Sequence, residues 1–133
     1  MKISNEDFES MKAKYDKEVK QGKSGKNKKG EITDQTDWMF FDRETLEGLL
    51  AKADPDPKKG GIKFYFSQYT ESVAKKYHPK NPESYDGMVT LVMIAANEEA
   101  GSITDINQKT NVDDEGGFEN IGRMCPPFCD PKP

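Results

Sequence analysis

The sequence predicts an α+β domain: a small, mainly antiparallel sheet of about three or four strands, one packed helix, and a second helix tethered at the N-terminus. Residues 62–66 and 88–94 carry the prediction, as runs of β-branched, aromatic and large apolar residues opened by Gly60-Gly61 and Asp86-Gly87. Residues 38–41, Trp-Met-Phe-Phe, form a shorter run of the same kind. Behind Asp42, Leu46, Leu49 and Leu50 recur at helical spacing.

The first element is the N-terminal helix, residues 1–20. Ser4 is its cap, Glu6 and Asp7 lie in the first turn, and Lys17 and Lys20 lie near the end, as the helix dipole favours. Phe8, Met11, Tyr15 and Val19 form one narrow stripe. Residues 21–35 follow as a flexible, lysine- and glycine-rich linker that leaves this helix movable. Gly22-Lys23-Ser24 is only the tail of a phosphate loop, and no apolar strand precedes it.

The core is expected over residues 36–124. Asp42 caps a helix over residues 43–52, which Pro55 and Pro57 stop. In the strand that follows, Ile62, Phe64 and Phe66 point one way and Lys63, Tyr65 and Ser67 the other. The second long run is apolar on both faces, as an interior strand is, and pairs antiparallel with the first. Residues 68–85 between them are polar, with a possible helical turn at 71–77 and the only histidine, His78, read as an exposed loop residue. Past Ala96 the chain turns polar and acidic. Asp113-Asp114-Glu115-Gly116-Gly117 lacks the alternating acids of a calcium loop and reads as solvated.

A length of 133 residues suits one domain, and the lean apolar fraction of 33% is offset in part by 10% aromatic residues. No apolar run approaches the roughly 18–20 residues that span a bilayer, so no membrane partner is expected. Residues 1–6 lack a secretory apolar stretch, which predicts a cytoplasmic protein. The net charge of −4 defines no partner, the arginines Arg43 and Arg123 are not clustered, and no aromatics interleave the lysines. Nucleic acid is therefore not expected either.

Both cysteines, Cys125 and Cys129, sit in a proline-rich tail, residues 125–133. Their sulfurs fall short of the four ligands of a closed zinc site, and His78 adds at most one. Cys-x-x-x-Cys differs from the thioredoxin-like spacing. A disulfide would close a small loop if the Cα atoms approach within about 7 Å, although a cytoplasmic pool disfavours it. Two plain thiols, with Phe128 anchoring the tail, or that small loop rank ahead of a redox or metal role.

Trp38, Phe40 and Leu46, then Gly61, Ile62, Tyr65, Phe66 and Tyr69, then Tyr85, Gly87, Val89 and Thr90, then Cys125, Pro126, Pro127 and Cys129 form an ordered set of motifs. Over residues 38–129 this set resembles a family of small uncharacterised bacterial proteins. The resemblance implies no activity, and it adds some weight to the cysteine tail.

The function expected is a non-enzymatic binding or interaction module without a cofactor, engaging a protein partner or itself. Its candidate surface is Tyr65, Tyr69, Tyr77 and Tyr85. The alternative is a thiol-based redox or metal-binding protein acting through Cys125 and Cys129. A hydrolase using Asp113/Asp114 or Glu98/Glu99 gains nothing from spacing, because adjacent acids point to different faces.

Overall fold

The computed structural model describes residues 2–106, 115–120, 122–127 and 129. In chain order it contains β1 (Lys2–Ser4), α1 (Asn5–Lys17), β2 (Lys26–Asn27), β3 (Gly30–Glu31), β4 (Trp38–Phe40), α2 (Arg43–Leu50), β5 (Gly60–Gln68), α3 (Glu71–Tyr77), β6 (Val89–Glu99), β7 (Ser102–Asp105), β8 (Glu115–Glu119) and β9 (Arg123–Cys125). The architecture is α+β, as expected. The main sheet has five strands rather than three or four, in the order β1-β8-β6-β5 with β7 also on β6, and β2–β3 and β4–β9 form separate ribbons.

β5 and β6 pair antiparallel without interruption from Gly60↔Asn97 to Gln68↔Val89. The alternation of β6 places Val92 and Ile94 in one cluster, with Ile3, Met11, Val73 and Phe118, and Met93 and Ala95 in another, with Leu49. Val92, Met93 and Ile94 are all fully buried, each contributing about 1.5–3 kcal/mol of apolar burial. Both faces of β6 are therefore interior, one on the α1 side and one under α2.

Helix starts follow the capping residues in the sequence. Asp7 N–H donates to Ser4 Oγ at 3.0 Å, and Thr45 N–H to Asp42 Oδ1 at 2.9 Å. The 71–77 turn is a full α3, with Val73 N–H donating to Thr70 Oγ1 at 3.2 Å.

The movable N-terminal helix is corrected. β1 pairs with β8, Lys2 opposite Glu119, and Ile3 and Met11 are fully buried. Phe8 stacks on Phe118 at 4.2 Å and meets Tyr65 edge-on at 5.0 Å. The expected linker also holds structure, since β2 and β3 form a hairpin and Ile32 packs against the core. The stripe is narrow because Phe8 and Met11 do most of the burying. Its partner, Phe118, lies too far along the chain for local periodicity to reveal it.

Candidate functional site

The cysteines are joined. Cys125 and Cys129 form a disulfide with Cα atoms 4.8 Å apart, so neither sulfur is a thiolate ligand. Among the described residues no cluster of three metal-ligating side chains occurs. Cys125 is only 5% exposed and lies opposite Trp38 in the β4–β9 ribbon. The bond thus closes a short loop at the end of β9, the strand paired with the one that carries Trp38. Phe128 and the rest of the tail from Asp130 lie outside the described residues.

The four tyrosines do not form a surface, which corrects the sequence expectation. Tyr69 is fully buried, and Tyr65, Tyr77 and Tyr85 are half-buried against the same core. On β5 the face holding Tyr65 and Ser67 turns toward α1, so the alternation carries Tyr65 inward. Tyr65 OH donates to Asp105 Oδ2 at 2.6 Å, with Lys63 Nζ 2.7 Å from Asp105 Oδ1. Tyr77 OH donates to Asp7 Oδ2 at 3.0 Å, beside the Lys76 ammonium at 2.8 Å.

Tyr69 centres a polar network inside the core. Its hydroxyl donates to Asn120 Oδ1 at 2.5 Å, and Asn120 Nδ2 donates to Thr90 Oγ1 at 2.9 Å. The tyrosine proton being committed, His78 Nε2 at 3.2 Å is the donor to the Tyr69 oxygen. His78 is half-buried and stacks on Tyr85 at 3.5 Å, which corrects its reading as an exposed loop residue. Burial raises the Tyr69 and Tyr85 pKa values and lowers that of His78. These shifts favour the neutral form of all three side chains, and with the Tyr69 hydroxyl bonded to both Asn120 and His78 the network is built for packing.

The chain matches no protein-family model, no curated protein and no solved structure.

The exposed aromatics are different ones. Trp38 and Phe40 on β4, and Phe64 and Phe66 on β5, are 36%, 51%, 45% and 58% exposed. Each pair is spaced by two, so it shares a strand face. A groove of about 160 Å³ joins Trp38 to Phe66 over Leu91 and Val89, with Asp37 its one charged residue. The face is exposed because α2 covers only the far end of β5, where Ile62 packs with Leu46 and Leu49. In the sequence these four residues read as strand formers, and nothing local separates a buried aromatic strand from an uncovered one.

Glu98 and Glu99 do not converge. They are exposed consecutive residues of β6, paired opposite Ile103 and Ser102. Asp113 and Asp114 lie outside the described residues. Among the described residues no helix is long and apolar enough to cross a membrane.

Proposed function

We propose that this protein is a non-enzymatic binding module that engages a second copy of itself through Trp38, Phe40, Phe64 and Phe66. The observation that carries the reading is the exposure of Phe64 and Phe66, at 45% and 58%, on a strand whose intervening Tyr65 belongs to the core. Exposed aromatic surface of this kind is where interfaces draw their energy. A second copy suits the patch because apolar surface is its own complement. In a two-fold pair each patch meets its twin, and the groove needs no opposite charge across it. The resemblance to small bacterial proteins adds no activity to this reading.

The test is sedimentation equilibrium of the whole chain up to about 1 mM, where a contact worth about 4 kcal/mol is half-formed. A dimer that is lost in Trp38→Ser and Phe66→Ser supports the reading, and a strict monomer throughout overturns it. Trp38 is the single tryptophan, so its emission reports the contact directly.

A second reading, thiol–disulfide exchange, is favoured by the closure of Cys125 and Cys129 into a short loop. The burial of Cys125 weighs against it, because exchange needs an accessible sulfur. A cytoplasmic location would require this bond to persist against a reducing thiol pool.

A further inference from the structure

Where α1, the β2–β3 hairpin and α3 meet, two cavities of about 350 and 570 Å³ share Asn27, Lys28, Glu71 and Asp86 and form one cleft. These volumes fall within the roughly 300–1,000 Å³ of small-ligand sites. Asp86 lines both cavities and is 7% exposed. Its backbone is pinned, with its N–H donating to Pro82 O at 3.0 Å and the next N–H, of Gly87, donating to Tyr69 O at 2.8 Å. These bonds fix the backbone of the turn from which the carboxylate projects.

Among the described residues nothing donates a hydrogen bond to the Asp86 carboxylate, and burial raises its pKa. The charges that face it are Lys14 on α1, Glu18 just after it, Lys28 on the hairpin, and Glu71 and Lys75 on α3, and their effects oppose one another. The neighbouring acids are already satisfied. Glu18 takes Lys14 Nζ at 3.1 Å and Lys26 N–H at 2.8 Å, and Glu71 takes Lys75 and Lys28 at 3.0 and 3.3 Å. The Asp86 carboxylate thus opens into the cleft rather than onto a protein donor, and a ligand seated there can supply one.

Charge around the cleft says what completes it. Six lysines and four carboxylates line the two cavities, and Lys17, Lys26 and Lys29 make no ion pair with a described residue. A bare cation meets a surplus of ammonium groups, and a bare anion leaves Asp86 without its donor. A ligand with a cationic donor at one end and an anion at the other answers both. We propose that this cleft binds small zwitterions of the amino-acid or short-peptide class, with the free ammonium on Asp86 and the carboxylate on the lysine rim. This site is separate from the aromatic patch, so neither reading depends on the other.

The experiment titrates isotope-labelled full-length protein with glycylglycine and, separately, with N-acetylglycylglycine, which keeps the carboxylate and lacks the ammonium. Glycylglycine is expected to shift the amides of Lys28, Glu71, Asp86 and Gly87. The acetylated compound is expected to bind at least about tenfold more weakly, as loss of one charge-assisted contact implies. Asp86→Asn should lose the same factor for glycylglycine while keeping the amide map of a folded protein. Equal binding of the two compounds, equal binding by Asp86→Asn, or no shift at the cleft overturns the proposal. Should Asp86→Asn fail to fold, the paired titration of the unmodified protein decides alone.

Discussion

Replacing Tyr69 by phenylalanine deletes one oxygen from the centre of the core and leaves the ring, which is fully buried, in place. The loss is therefore confined to the hydrogen bonds of that hydroxyl. Asn120 cannot turn to compensate, because its Nδ2 is held by Thr90 Oγ1 and by the Leu91 carbonyl. Its Oδ1 loses the tyrosine donor at a position 1% exposed. Removing one partner of a buried bond costs about 1–3 kcal/mol. His78 is only half-buried, so the loss falls chiefly on Asn120. Tyr69→Phe should thus lower stability by about 1–3 kcal/mol in urea unfolding, with the m-value unchanged. The control is Tyr85→Phe, whose hydroxyl makes no hydrogen bond to a described residue and whose pKa is shifted by burial alone. It should change stability by less than about 0.5 kcal/mol. A Tyr69→Phe loss as small as that of the control would refute the reasoning, because the hydroxyl would then not be held.

Reducing the Cys125–Cys129 bond, which spans a sequence separation of 4, should cost about 2 kcal/mol by the chain-entropy relation. Urea curves with and without a reductant measure it, and identical midpoints would contradict it. For His78, burial lowers the folded pKa below its ordinary 6.5. The unfolded chain then takes up the proton first, so this contribution is complete above 6.5 and declines as pH falls through the folded value. His78→Phe should flatten that acid slope, and an unchanged slope would assign it to other groups. Gly87→Ala should cost at least about 2 kcal/mol, read as a lowered Tm. Gly87 has φ +84°, and a Cβ there runs into the Lys26 carbonyl.

Much of the frame was legible because local chemistry decides it. Asp42 and Ser4 cap the helices they were expected to cap, and the two glycine-opened runs are the paired β5 and β6. What escaped depends on distant partners. β7 and β8 are polar strands that exist through their pairing with β6 and β1, and no period marks them. Tyr65 and Phe66 are adjacent and chemically alike, yet one packs into the core beneath Phe8 and the other stays 58% exposed, with only Tyr15 of α1 against its ring. Alternation says that they part, and only the helices say which goes in. Asp86 was visible merely as a turn residue. Its interest comes from the hairpin and α3 closing around it, which requires residues 26–29 to be structured rather than a linker.

The insertion of β8 between β1 and β6 has a kinetic consequence. The earliest strand of the chain cannot take its place until one of the last has arrived, so Ile3 and Phe118 are buried together or not at all. The β5–α3–β6 unit is contiguous in sequence and can pair early, whereas the β1–β8 pairing must close nearly the whole chain into a loop. Folding of this kind leaves the outer pair out of the rate-limiting nucleus. Truncating Ile3 to alanine should then steepen the loss of the native state, raising the unfolding rate while the folding rate scarcely moves.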